Sequence, residues 1–306
     1  MKKICYILLA VMLVSCNTGD KKMVQPLVQE EVKERFESLE NLKLSQEFKD
    51  YWYAGKAEIS SYELSQSRYG TLRNGKAVLI FVTEPYDTID EVKADQTHEV
   101  TRPVMKLNAT RDFNTGIYPY SMMSSTFLPL DKKDNALKIS SSIQEWCGHT
   151  YMQFNQNEEE YDIELFSYFQ SEVDYETNVK NVMTENQIPI QLRLNPREMP
   201  TGAMKVIPST EYLRLKHIKT KAYDATASLR EIEDGLLYSL RFTELDRMIA
   251  FKVQKEFPHK ILAWMDRYND GGKPMVSTGT LIETLNTPYW TKNSNEDEVL
   301  RKELGL

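Results

Sequence analysis

The sequence predicts a mainly β protein, an antiparallel meander of curled sheet with a few short helices. Three observations predict it. Runs such as Tyr238 to Phe242 and Met248 to Phe257 alternate apolar and polar residues (Tyr238, Leu240, Phe242; Ile249, Phe251, Val253), the period of half-buried strands. Turn signals recur between such runs, at Arg73-Asn74-Gly75, Asn114-Thr115-Gly116, Asn155-Gln156-Asn157, Glu233-Asp234-Gly235 and Asn269-Asp270-Gly271-Gly272. Asn and Gly tolerate the positive φ that tight hairpins require. Helical periodicity between the runs is scarce, which favours hairpin connections over βαβ crossovers.

The chain opens with MKKICYILLAVMLVSC: two lysines, then an apolar run over Ile4 to Val14 that is too short to span a bilayer. Residues 1–15 therefore read as a secretory signal peptide. The run ends in Leu13-Val14-Ser15-Cys16, which resembles the bacterial lipobox, and the resemblance implies lipidation at Cys16. Acyl chains contribute roughly 0.8 kcal/mol per buried methylene, so such an anchor holds the protein on its membrane. Asn17 is not the aspartate that favours retention in the inner membrane. The expected location is the cell envelope, lipid-anchored in the outer membrane, facing either the periplasm or the outside.

Charge narrows the partners. The formal net charge is -7, and loss of Lys2 and Lys3 with the signal takes it to -9. An acidic domain is a poor partner for nucleic acid, whose binding needs neutralised phosphates. Of three cysteines, Cys5 leaves with the signal and Cys16 takes the lipid, so Cys147 is the one thiol left and no intramolecular disulfide forms.

The elements follow in order. Residues 16–26 are the lipidated N-terminus and a polar tether. Residues 27–50 form an amphipathic helical segment with Val28, Val32, Phe36 and Leu39 on one stripe. Residues 51–175 are a first β-rich half. Within it Ala57 and Ile59 alternate on one phase and Tyr62 and Leu64 on the other, which predicts a β-bulge near Ser60-Ser61. Lys76 to Glu84 is apolar on both phases, as in a strand covered on both faces. Residues 176–200 are a helical or loop connector, with Tyr175, Val179, Val182 and Met183 on the face of a helix through Val173 to Gln187. Residues 201–290 are a second β-rich half, and 291–306 a helical tail opened by a capping-box pattern at Ser294 and Asp297.

The stretch Gly70 to Ala77, GTLRNGKA, is one residue from a phosphate-binding loop. Ala77 cannot ligate magnesium, and strand formers follow it instead of the helix whose N–H groups would hold phosphate. It reads as a hairpin turn centred on Asn74-Gly75. Asp266 to Gly271 imitates the start of a calcium loop, but Tyr268 stands at a ligand position. Glu158, Glu159, Glu160 and Asp162 read as a solvated loop after a turn. The four histidines are scattered, so no metal and no cofactor are expected.

Trp146-Cys147-Gly148-His149 is the most reactive-looking stretch. On a strand Cys147 and His149 share a face, and an imidazole there can lower a thiol pKa. These two are the candidate catalytic residues of a thiol-dependent or hydrolytic enzyme, against a plain packing role for the thiol. Aromatic residues and methionines concentrate between Phe113 and Phe127. Phe113, Tyr118, Tyr120, Phe127 and Trp146 are the candidate lining of an apolar ligand cavity inside a curved sheet, against a filled core.

The runs FNTGIYPYSMMSSTF, SIQEWCGHTYMQF and LRLNPREMPTGAMKVIPSTEYLRLKH, followed by KAYDA, resemble a family of Bacteroidota lipoproteins that carry the automatic label "septum formation inhibitor Maf". The resemblance spans the domain from Tyr51 onward. Cytosolic Maf nucleotide pyrophosphatases have an S-x-S-P-R-R-like N-terminus where this chain has its lipobox, so no catalytic residue is carried over. A looser likeness is to envelope carriers whose curled antiparallel sheet shelters acyl chains over short helices. The expected function is a lipid-anchored, non-catalytic envelope protein that binds an apolar or amphipathic ligand or an envelope partner. The alternatives are the Cys147/His149 enzyme and a structural subunit of a surface complex.

Overall fold

The structure, a computed structural model, describes residues 29–306. The signal peptide, Cys16, the tether and Val28 lie outside the described residues. Two short helices come first, α1 (Gln29–Ser38) and α2 (Gln46–Trp52). Ser45 caps α2 by accepting from the Phe48 N–H, and α2 buries Phe48 and Trp52. The strands follow as β1 (Ala57–Arg68), β2 (Thr71–Asp87), β3 (Val92–Lys93), β4 (Thr101–Thr115), β5 (Tyr118–Pro129), β6 (Lys138–Glu145), β7 (Gly148–Gln156), β8 (Glu160–Ser167) and β9 (Tyr175–Lys180). Helix α3 (Ile188–Leu194), β10 (Gly202–Val206) and α4 (Thr210–Lys216) lead to β11 (Tyr223–Ile232), β12 (Gly235–Phe242), β13 (Arg247–Val253), β14 (Ile261–Asp270) and β15 (Lys273–Thr287). The chain then closes with α5 (Val299–Glu303).

All the strands join one antiparallel sheet of fifteen strands, not closed into a barrel, with β10 and β9 at its edges. The two β-rich stretches are continuous, because β15 pairs with β1. The sheet curls around the helices between its two halves. Helix α4 contacts β5 and β6, while its Tyr212 ring lies 5.5 Å from Tyr268 of β14. In a flat sheet β5 and β14 stand five strand spacings apart, roughly 24 Å. No two-turn helix touches both unless the sheet bends.

Two expectations are corrected here. The helix through Val173 to Gln187 is instead strand β9, whose Tyr175, Thr177 and Val179 pair with β8; the helix starts only at Ile188, with Pro189 in its first turn. The amphipathic segment holds the two helices α1 and α2, and its Phe36 packs under the Arg102 guanidinium at 4.2 Å. The β1–β2 turn is centred not on Asn74-Gly75 but on Tyr69-Gly70, both at positive φ (58° and 69°), as a type I′ turn requires. Gly75 lies inside β2 opposite Phe113, where a Cβ would meet the Asp112 carbonyl oxygen at 2.1 Å. The glycine there serves close strand approach, and the segment is a strand and not a phosphate loop.

The bulge falls where expected but on the neighbouring strand. Strand β1 runs in unbroken register against β2, while between Ser61 and Tyr62 its pairing with β15 shifts from Glu283 to Leu281, skipping Ile282. Ile59 faces outward beside Ile80 and Leu285, and Tyr62 and Leu64 face inward. The change of apolar phase along β1 marks a change in which face is covered. β2 is covered on both faces, with Ala77, Leu79 and Phe81 in the inner core and Val78 and Ile80 under the C-terminal tail.

Candidate functional site

The inner face of the curl is filled. Arg193 of α3 donates to both oxygens of Glu58 on β1, at 2.5 and 2.7 Å, with both side chains fully buried. Arg247 of β13 holds Glu185 and Asp266 together, at 2.5 to 2.8 Å. Charge-assisted, two-pronged bonds of this kind fix helices to a sheet in one register. They occupy the middle of the curl.

The largest opening lies on the outer face, a groove of about 700 Å³ between the sheet and the C-terminal strap. Its floor is Ile59, Val78, Ile80 and Leu285, side by side on β1, β2 and β15. Its roof is Leu300, Leu304 and Leu306. The strap is pinned by Ser61 Oγ, which donates to the Leu304 carbonyl oxygen at 2.5 Å, and by the Ser294/Asp297 capping box that opens its last helical turns. Lys76, Lys292 and Arg301 stand on the rim with Asp112 and Asp297; Lys76 pairs with Glu63 and Lys292 lies 4.0 Å from Asp297. A second opening of about 440 Å³ lies at one end of the curl, between Leu44, Phe48, Leu128, Met199 and Phe257, and takes Gln191 as a polar wall.

Two of the five aromatic candidates border the outer groove. Phe113 and Tyr120 are stacked 5.0 Å apart, their planes nearly parallel, and buried, so they reach it from strand positions that point inward. Tyr120 Oη accepts from Arg68 and bonds Tyr69 Oη at 2.8 Å, sealing the end of the curl. Tyr118 stands beside Tyr120 and Trp146, and Trp146 is exposed in the β6–β7 turn. Phe127 belongs elsewhere. It faces outward and packs on Tyr86, 5.6 Å away, because odd and even positions of β5 face opposite sides. The aromatics therefore do not line one inner cavity.

Cys147 and His149 are not on one strand face. Cys147 is exposed in the turn, and His149 is in β7 opposite Gln144. No hydrogen bond joins them among the described residues. The neighbour of Cys147 is acidic: Glu145 accepts from its backbone N–H at 2.7 Å and its carboxylate pushes the thiol pKa above the ordinary value. That is the opposite of nucleophile activation.

Comparison of the chain with known protein families, curated proteins and solved structures finds no match to any of the three.

The remaining motifs take structural roles. Asp266 pairs with Arg247, and Asp270 Oδ2 accepts from Ser67 Oγ and the Gly70 N–H, which clamps the β1–β2 turn to the β14–β15 turn. His98 bonds Asp87, and His217 bonds Glu172 at 2.6 Å. No group of three metal-ligating side chains occurs among the described residues. The groove itself carried one sequence signal, the doubly apolar phase of β2, which asked for a cover on the outer face.

Proposed function

We propose that this is a lipid-anchored envelope protein, held in the outer membrane through Cys16, whose β domain shelters the apolar chain of an amphiphile without catalysing its conversion. The observation that carries the reading is the outer groove with its aliphatic floor and roof. Its floor follows β2 from Ile80 to Asn74, six residue-to-residue steps or roughly 20 Å of strand. One leaflet of a bilayer is about 15 Å of hydrocarbon, so a leaflet-length acyl chain fits along it. Arg301, the rim cation without a carboxylate partner among the described residues, suits an anionic head left in solvent, and the lipobox puts the domain beside a supply of such molecules.

Native mass spectrometry with organic extraction tests the reading, on a chain beginning at Asn17 and purified without detergent. A lipid or other apolar molecule at one copy per chain is expected. An empty protein overturns cavity binding and moves the function to an envelope protein partner, to be sought by crosslinking in intact envelopes.

A further inference from the structure

Five carboxylates are buried among the described residues: Glu58, Glu185, Glu211, Asp266 and Asp270. Four of them face a cation. Glu58 pairs with Arg193, Glu185 and Asp266 share Arg247, and Asp270 lies 3.7 Å from Lys216 Nζ. Glu211, in the first turn of α4, pairs with no cation among the described residues. Its oxygens accept from neutral donors only: Ser124 Oγ at 2.6 Å, Asn186 Nδ2 at 3.0 Å and Thr210 Oγ1 at 3.2 Å. A buried charge without a counter-charge costs several kcal/mol, so the exception asks for a cause.

Arg111 on β4 is the complementary exception. It stands opposite Ala77 on β2 and Met122 on β5, both buried core positions, so strand alternation turns it toward the interior of the curl. It has no carboxylate partner and no side-chain hydrogen bond among the described residues. Its guanidinium carbon lies 6.0 Å from the centre of the Trp264 ring.

Glu211 and Arg111 line the same cavity, of about 50 Å³, between the N-terminal ends of α3 and α4 and the inner face of the sheet. Ala77, Leu79 and Trp264 give it an apolar wall, and Asn186 and Ser124 add polar atoms beside Glu211. Ala109, Arg111 and Pro189 are partly exposed and mark its mouth, while Glu211 is buried at its far side.

We propose that this cavity binds the ammonium and carboxylate of an amino-acid-type zwitterion, with the ammonium on Glu211 and the carboxylate on Arg111. A ligand of either single charge relieves one partner and repels or ignores the other. A zwitterion satisfies both at once. Liquid water occupies about 30 Å³ per molecule, so the cavity takes an ammonium and its adjoining carbon, with the carboxylate at the mouth. The apolar wall suits that carbon, and a bulky side chain has no place within. The site lies inside the curl and is independent of the groove on the outer face.

Isothermal titration calorimetry of the full chain in detergent micelles tests this, with glycine as the probe and N-acetylglycine and methylamine as controls. Saturable binding of glycine is expected, with neither control bound, since each lacks one of the two charges. Glu211→Gln and Arg111→Lys should each weaken glycine binding by at least about tenfold. Should Glu211→Gln fail to fold by circular dichroism, the partly exposed Arg111→Lys decides alone. The proposal is overturned if glycine gives no saturable binding, as when ordered water alone fills the cavity. It is equally overturned if a control binds as well as glycine, or if both folded variants bind glycine as the parent does.

Discussion

Arg193 on α3 and Glu58 on β1 form a fully buried, two-pronged ion pair, and Tyr51 Oη completes it with a hydrogen bond to Glu58 Oε2 at 2.5 Å. The pair joins residues 135 positions apart in the chain. It ties the helical connector to the middle of the sheet, and the Trp52 and Phe81 rings lie about the guanidinium at 5.1 and 5.0 Å. Removing one member strands the other charge in the core. Arg193→Met should cost about 3–5 kcal/mol in chemical unfolding, whereas the double variant Arg193→Met/Glu58→Leu should recover much of the loss. Equal losses in the single and double variants would show that packing, not the stranded charge, sets the cost.

The same carboxylate makes stability depend on acid. Burial works to raise the Glu58 pKa, but the Arg193 charge and hydrogen bonds outweigh it and hold the value below the ordinary 4.5. Glu172 follows the same balance, with burial outweighed by the His217 and Ser167 hydrogen bonds and by Arg214. A carboxylate with a depressed folded pKa binds protons more readily when unfolded. Its contribution is therefore whole above 4.5 and is lost as the pH falls through the folded value. Urea midpoints should fall as the pH drops below about 4.5, with a shallower fall in Glu58→Gln. A midpoint that rises on acidification contradicts the assignment.

What the sequence made legible was local. Strand alternation in Tyr238 to Phe242 and in Ile249 to Val253 appears in β12 and β13 as read. The doubly apolar β2 and the irregularity near Ser61 were also visible, because each is a pattern within a few residues. The helix assigned to 173–187 failed for a physical reason: Tyr175 and Val179 are four apart, a spacing that shares a face in a helix and in a strand alike. β-Branched Thr177 and Val179 and the late Pro189 were the better guides. Of the sites only the covered outer face of β2 was legible. The groove joins Ile59 to Leu304, and the inner cavity joins Arg111 to Glu211, contacts that only the closing of β15 on β1 and the curl of the sheet create.

Cys147 offers a direct check on the thiol alternative. The Glu145 carboxylate raises the thiol pKa above its ordinary 9.0, so little thiolate exists near neutrality although the residue is exposed. Alkylation by iodoacetamide at neutral pH should run slower than for free cysteine, and Glu145→Gln should speed it. Reaction faster than free cysteine in the parent protein would restore Cys147 as a candidate nucleophile.

Trp264 lies flat across β15 where Gly279 leaves space, and a Cβ at that position would stand 2.2 Å from the indole. The indole in turn packs on Tyr62 at 4.6 Å and walls the inner cavity. Gly279→Ala must therefore move the ring or the strand, at a cost of about 1–3 kcal/mol for an overpacked core. Its tryptophan emission should shift, because three other tryptophans, at 52, 146 and 290, stay in place. An unchanged midpoint and spectrum would mean that the indole does not rest on that glycine.

The outer groove predicts a split between floor and frame. Ile80 sits on the floor, partly exposed and opposite Ile59, so Ile80→Gln puts an amide where an acyl chain would lie while removing little core packing. Phe81, the next residue, faces the filled interior and is fully buried. Ile80→Gln should leave the unfolding free energy within about 1 kcal/mol of the parent, as near-surface changes do, yet strip the co-purifying lipid. Phe81→Ala should do the reverse, lowering stability by about 3–5 kcal/mol while any folded fraction keeps its lipid. The contrast separates a ligand held on the outer face from one held in the core. Lipid retained by Ile80→Gln and lost with Phe81→Ala would move the site inside the curl.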